Sequence, residues 1–390
     1  MYREKIKDLL LFKNKNFIKV ITGVRRCGKS TLLKLYSNEL KKDIKNNIIY
    51  VNFEEFKYQY ITDRELYELL KSQIKPNTYL LLDEIQRVNK WELVINSLFV
   101  EYTDIDIYIT GSNAYLLSSE LSTYLAGRYI EIKLYPLSFK EFTKFNNFEA
   151  NSKSFELYLK YGGMPSLLGN YKKEETELIF DGICSSIIMK DVLERVSIKD
   201  VKTLNKVVLF LSDNIGNITS LNSIKNVLKT EMRNNNHLTT VENYILALQN
   251  AFLFYDIERY DIKGKELLKT LGKYYIVDIG LRNFLLGKNS DIGRLLENIV
   301  FLELLRRNYR VYIGKIDNTE VDFIAEKNDE RIYFQVSETM LGEETKLREL
   351  RPLKMIKDSY EKIILTMDDV FFGCDDTGIK HKNIIEWLME

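Results

Sequence analysis

The run Gly23, Val24, Arg25, Arg26, Cys27, Gly28, Lys29, Ser30, Thr31 combines the residue types that hold a phosphate chain. Glycines at 23 and 28 let the backbone curl until successive N–H groups point inward, and the positive end of a following helix adds to the pull on an anion. The string matches G-x-x-x-x-G-K-[ST] between an apolar strand, FIKVIT, and a helical pattern, TLLKLYSNEL, which is the context a P-loop needs. Lys29 is expected to reach the β- and γ-phosphates of ATP, and the Ser30 hydroxyl to ligate Mg²⁺. The loop as a whole, with Thr31, is expected to touch nucleotide through its backbone. The side chains of Arg25, Arg26 and Cys27 fill the variable positions and are expected in solvent.

About fifty residues on, YLLLDEIQ sets four apolar residues ahead of Asp83 and Glu84. A buried strand ending in carboxylates puts them at the C-terminal edge of a sheet, where α/β folds place ligands. Asp83 is expected to hold Mg²⁺ through its water shell, and Glu84 to orient and deprotonate the attacking water. A third apolar strand, IDIYIT, ends in Gly111, Ser112 and Asn113, whose polar groups suit the γ-phosphate or that water. Together these residues describe ATP hydrolysis. Nucleotide bound merely as a structural cofactor is disfavoured by Glu84, since storage needs no base.

The elements that must position this chemistry are legible as short β-rich runs alternating with helical patterns from Phe17 to about Pro136: FIKVIT, NIIYVNF, YLLLD, IDIYIT and RYIEIKL. Such alternation predicts a parallel sheet covered by helices, an α/β P-loop ATPase core over 1–137. Residues 138–198 read as a helical lid broken at YGGMP. Residues 199–286 read as three helices followed by FLFYDIERYD, the turn IKGK and YYIVD, the order of a winged helix. Residues 287–390 open with an amphipathic helix and continue through RVYIGK, EVDFIAE, RIYFQVS and KIILTM, a small α/β domain.

Composition bounds the partners. The chain has 390 residues, suiting several domains, with 45% hydrophobic and 29% charged residues, so it folds rather than remaining disordered. Its net charge is +1, so no global field draws it to nucleic acid or anionic lipid. Cys27, Cys184 and Cys374 are too scattered for a disulfide framework or a CxxC metal site, and a reducing cytoplasm is expected. No apolar run approaches the ~20 residues of a membrane span, and the first twenty residues lack a signal-peptide core, so no membrane partner is expected.

GVRRCGKSTLL, LLLDEIQ, ITGSNAYLLSSEL, AGRYIEIKLYPLSFKEF, GGMP, KYYIVDIGLRN and the stretch from FQVS to GIKH resemble the prokaryotic AAA-type ATPases in which an N-terminal ATPase precedes a conserved domain of unknown function. The resemblance covers nearly the whole chain. It implies Ser112 or Asn113 as a first sensor and makes Arg128 a candidate for γ-phosphate sensing, on its own chain's nucleotide or on a neighbour's in a homo-oligomer. GGMP resembles the Gly-x-Pro segment that some switch ATPases pack against adenine, which makes Pro165 a candidate nucleotide contact.

The winged-helix region from Ser212 to Lys273 holds eight basic against seven acidic residues, and its would-be reading helix, TTVENYILALQN, has Glu242 but no Lys or Arg. Protein contacts or an intramolecular role are therefore favoured over DNA. Lys263, Lys265 and Lys269 in the wing keep DNA as the minority partner. In the last domain Glu297 or Glu303, Asp322 and Gln335 follow the layout of restriction-endonuclease-like folds, in which two acids hold Mg²⁺ and a Lys steadies the attacked phosphate. Ser337 stands where that Lys belongs, so a catalytically inert fold is expected, with no Mg²⁺- or Mn²⁺-dependent cleavage. The favoured function is an AAA-type ATP hydrolase that drives or switches domain rearrangement, its client open between a protein and other partners. The alternative is a nucleic-acid effector, a DNA-binding regulator or an ATP-gated nuclease.

Overall fold

In the computed structural model the residues described are 3–112, 114, 127–167, 169, 172–193, 200–229, 237–288, 290–370, 373–374 and 377–390, with the backbone alone at 227–229, 237–239 and 269–270. They form two compact units. The first is Met1–Pro136 with the short inserts Ser186–Val192 and Asn250–Phe252; the second is Leu137–Ser185, Leu193–Gln249 and Leu253–Glu390. The segment expected as one helical lid is thus divided between them.

The first unit is built on five strands: β1 (Ile18–Thr22), β2 (Asn47–Asn52), β3 (Thr78–Asp83), β4 (Ile105–Gly111) and β5 (Tyr129–Lys133). All pair in parallel, in the order β2-β3-β4-β1-β5. Every residue of β1 and β3 is buried, as the near-continuous apolar runs of a two-face-covered parallel sheet require. Alternate residues face opposite sides. Ile18, Val20, Leu80, Leu82, Ile107 and Ile109 pack with Leu66, Leu70, Trp91, Val94, Ile95 and Leu98, from helices α3 (Asp63–Lys71) and α4 (Trp91–Glu101). α2 (Lys29–Leu40) buries Leu32, Leu33 and Tyr36, and the Tyr36 hydroxyl meets that of Tyr108 at 2.7 Å. α1 is the short helix Ile6–Leu11.

The helices of the second unit begin with α5 (Phe139–Asn146), α6 (Ser152–Tyr161) and α7 (Lys173–Ser186), which runs on as the π-helix Ile187–Leu193. Ser138 with Glu141, and Asn151 with Ser154, close capping boxes that set the first turns of α5 and α6. Next come α8 (Val201–Asp213), the short strand β6 (Ile218–Thr219), α9 (Leu221–Lys229), α10 (His237–Asn250) and the hairpin β7 (Phe254–Asp261) and β8 (Glu266–Ile276). The remainder is α11 (Ile279–Leu286), α12 (Ile292–Arg306), β9 (Arg310–Ile316), β10 (Thr319–Lys327), β11 (Glu330–Val336), α13 (Glu343–Met355), β12 (Glu361–Thr366), β13 (Lys380–Asn383) and α14 (Ile384–Met389).

β7 pairs in parallel with β9, with Arg259 opposite Ile313, so the hairpin is part of one eight-stranded sheet, β13-β12-β11-β10-β9-β7-β8-β6. The sheet thus runs across the 286/287 position expected as a boundary. A hairpin edge left open would expose unpaired backbone groups, and β9 satisfies them.

Candidate phosphate site

The C-terminal edge of the parallel sheet gathers the loops after β1, β3 and β4, which are adjacent or separated by one strand. After β1, Gly23 takes φ +150°, and a Cβ there would lie 2.1 Å from the Leu134 carbonyl oxygen, so only glycine lets the loop pass beneath that strand end. Gly28 caps α2 with φ +101°. The buried Lys29 ammonium donates to the carbonyls of Gly23 at 2.9 Å and Val24 at 3.2 Å, and lies 4.0 Å from Glu84 Oε1. Ser30 and Thr31 are half-buried in the first turn of α2.

Two of the three variable loop residues depart from the solvated positions expected for them. Cys27 is fully buried, its Sγ on the Leu134 carbonyl oxygen at 3.4 Å, and Arg3 from the N-terminus donates to the Cys27 carbonyl at 3.1 Å. Arg25 forms a two-pronged pair with Asp191, Nε to Oδ2 at 2.8 Å and a terminal N–H to Oδ1 at 2.9 Å. Arg26 alone is exposed, with φ +66°.

Asp83 closes β3 fully buried. It accepts the Thr110 hydroxyl at 2.6 Å and the Tyr50 hydroxyl at 3.1 Å. Glu84 follows in the left-handed region at φ +56°, its amide donating to the Thr110 Oγ1 at 2.9 Å and its carboxylate accepting from Gln86. Burial and the Asp83 carboxylate push the Tyr50 phenol well up, so it stays a donor at neutral pH. Ser112 is fully buried and donates to Asp191 Oδ1 at 3.1 Å. Asn113 lies outside the described residues.

Sequence reasoning missed Tyr50, Thr110 and Asp191. Thr110 lay within the strand run IDIYIT, but its approach to Asp83 depends on strand order, and Asp191, 166 residues from Arg25, carried no signal. Hard oxygen donors, the Ser30 hydroxyl and the Asp83 carboxylate, suit Mg²⁺; each Asp83 oxygen already accepts one hydroxyl and keeps a lone pair for a bridging water.

Arg128 stands apart from the phosphate loop along the sheet. Its carbonyl accepts the Ile18 amide, so it precedes β5 beside the start of β1, while the phosphate loop leaves the other end of that strand. It is exposed and donates to Asn96 Oδ1 at 3.1 Å.

Pro165 belongs to the second unit, at the head of the short turn Pro165–Leu167. The GGMP break there answers to Asp278: the Gly163 amide donates to its Oδ2 at 2.7 Å, and a Cβ on Gly162, at φ +69°, would fall 2.3 Å from its Oδ1. Neighbouring residues of KYYIVDIGLRN tie further backbone. The Arg282 guanidinium donates to the Ser212 carbonyl at 2.9 Å and Asn283 to the Leu159 carbonyl at 2.9 Å.

A cavity of about 480 Å³ holds the nuclease-like residues, lined by Glu297, Asp322, Gln335, Ser337 and Glu349 among others. Glu303 is elsewhere, paired with Arg307 at 2.9 Å. A buried ammonium approaches Glu297 from β8: Lys273 donates to Glu297 at 2.9 Å and pairs with Glu320. Burial and the Glu297 charge hold the Asp322 carboxyl well above its ordinary range. Among the described residues no three acidic, Cys or His groups converge tightly enough to hold a metal. In the wing, Lys263 pairs with Asp317 at 2.6 Å, and Lys265 adopts φ +55°.

Comparison with known proteins bears on the family and the fold. The AAA domain family matches residues 15–143, and a domain of unknown function (DUF8612) matches residues 152–292. An uncharacterized protein of Haemophilus influenzae is 44% identical over 99% of this chain and 97% of its own length. An uncharacterized protein of Methanocaldococcus jannaschii is 35% identical over 94% of this chain and 85% of its own. Among solved structures, a Walker-type ATPase of Pyrococcus abyssi superposes with a TM-score of 0.51 at 15% identity, over 73% of this chain and 95% of that one, a likeness of fold. No described helix is long and apolar enough to cross a membrane.

Proposed function

Since the chain belongs to the family in which an AAA-type P-loop ATPase domain precedes a domain of unknown function, we propose that it binds ATP at the Gly23–Thr31 loop and hydrolyses it. The observation that carries this reading is the 4.0 Å approach of Lys29 Nζ to Glu84 Oε1 at the sheet's C-terminal edge. That spacing brings the cation for the β- and γ-phosphates beside the base for the attacking water.

In the hydrolytic step Lys29 exchanges the Gly23 and Val24 carbonyls for phosphate oxygens. Glu84 takes a proton from the water that attacks the γ-phosphorus, and the bond to the β,γ-bridging oxygen breaks, giving ADP and phosphate. Ser112 donates to the γ-phosphate. The Ser30 hydroxyl and, through water, the Asp83 carboxylate would hold Mg²⁺, which would supply charge neutralising the phosphates. The released energy is read as rearranging the domains on a protein client.

Nucleotide titration and steady-state phosphate release test the assignment. Lys29→Ala should lower ATP affinity about 10- to 100-fold, the worth of charge-assisted hydrogen bonds. Glu84→Gln should keep affinity while losing about 10²–10⁴ in turnover. Unchanged hydrolysis by Glu84→Gln would remove it as the base.

A second reading, phosphodiester cleavage in the C-terminal cavity, is favoured by one observation, the Lys273 ammonium among Glu297 and Glu320. It ranks second because both carboxylates already neutralise that ammonium. Incubating supercoiled plasmid with Mg²⁺ or Mn²⁺ decides: nicking lost in both Asp322→Ala and Lys273→Ala establishes it, and intact plasmid withdraws it.

A further inference from the structure

Asp191 is a buried carboxylate of the π-helix Ile187–Leu193, a wider turn whose occurrence in proteins clusters at functional sites. It takes two N–H bonds from Arg25 and the hydroxyl of Ser112, so one carboxylate holds groups from the phosphate loop and from the end of β4. The Glu84 carboxylate also attracts the Arg25 guanidinium, which puts Arg25 on the hydrolytic side of the loop. Ser186–Val192 packs within the first unit, yet the chain on either side of it belongs to the second. A segment so connected carries any local displacement covalently into both flanking stretches.

We propose that Asp191 is a γ-phosphate-responsive positioning residue: it holds Arg25 and Ser112 until the γ-phosphate of ATP competes for the same donors, and the π-helical segment then yields its hold. A γ-phosphate presents three acceptor oxygens, and a guanidinium fork serves phosphate as readily as carboxylate. ADP lacks that group and leaves the Asp191 contacts in place. A ligand shifts such an equilibrium only through its differential affinity for the two arrangements, and the γ-phosphate is the group that differs between ATP and ADP. The π-helical segment therefore distinguishes the two nucleotides and passes the difference along the chain.

The proposal rests on the ATPase reading above, and the experiment separates the two. ATP, its β,γ-methylene analogue and ADP are titrated against the full-length wild type, Asp191→Asn, Asp191→Glu and Arg25→Gln, and amide exchange over 186–193 is followed with each nucleotide. Neutralising the competitor should tighten the analogue over ADP by about fivefold or more in Asp191→Asn, and Asp191→Glu should restore part of the wild-type ratio. In the wild type the analogue, and not ADP, should speed exchange over 186–193. Equal effects of Asp191→Asn on both nucleotides, or identical exchange with analogue and ADP bound, overturns the proposal while leaving ATP binding intact. Wild-type protein that binds no nucleotide removes the phosphate site itself, and the proposal with it. The exchange arm uses wild-type protein alone, so a variant that fails to fold does not rescue the idea.

Discussion

Thr110 donates to Asp83 Oδ1 and accepts from the Glu84 amide, so one hydroxyl on β4 sets both acids of β3. The contact exists because β3 and β4 are neighbours in register, Leu82 opposite Ile109. Replacing Thr110 by Val keeps the shape and β-propensity but strands a buried amide and a buried carboxylate. Stability should fall by ~1–3 kcal/mol, and kcat should drop while ATP affinity stays near the wild-type value. Urea unfolding and steady-state kinetics check both, and an unaltered kcat would show that Glu84 is oriented by other contacts. At this scale Gly23, Lys29, Asp83 and Glu84 were readable because a phosphate loop and an acid-tipped strand are local patterns. The Asp191 partner of Arg25 was not readable, since no local rule links positions separated by 166 residues.

Among elements, α11 shows how a string that carries the family resemblance can serve architecture. Asp278 caps that helix by accepting the Leu281 amide at 3.0 Å and also receives the Gly163 amide from the break after α6. Burial raises its carboxyl from an ordinary 3.8 to about 6, against the opposing pull of the Gly163, Leu281 and Gly280 amides. The folded value lies above the unfolded one, so the folded form binds this proton more tightly. The resulting stability is fully present below pH ~4 and is lost as pH rises through about 6, an effect of about 3 kcal/mol. Asp278→Asn, neutral at every pH, should flatten that part of the dependence; urea unfolding between pH 4 and 7 measures it, and parallel slopes for the two proteins would contradict the assignment. Gly162→Ala should cost on the order of 3 kcal/mol, because its Cβ meets the same carboxylate at a positive φ. A loss under 0.5 kcal/mol in the same assay would show that the break relaxes freely.

For the whole molecule, strand direction decides what Arg128 can do. It stands beside the start of β1, whose five residues span roughly 16 Å before the phosphate loop begins, beyond the reach of a guanidinium. Arg128→Ala should therefore leave ATP affinity and turnover unchanged in dilute protein, where chains act singly. Turnover measured across a dilution series checks this, and a loss at every dilution would refute the geometry; a loss confined to high concentration, restored by mixing with Glu84→Gln chains, would show action on a neighbour's nucleotide. The amino-acid sequence by itself determined the phosphate loop, its acids and the alternation of strands and helices, because each is written in spacings of a few residues that backbone geometry converts directly into structure. Only the tertiary structure decided that Arg25 belongs to Asp191, that Lys273 supplies the ammonium beside Glu297, and that the hairpin β7–β8 joins the C-terminal sheet. Those pairings are made by strand order and burial, which bring together side chains whose separation along the chain carries no periodic trace.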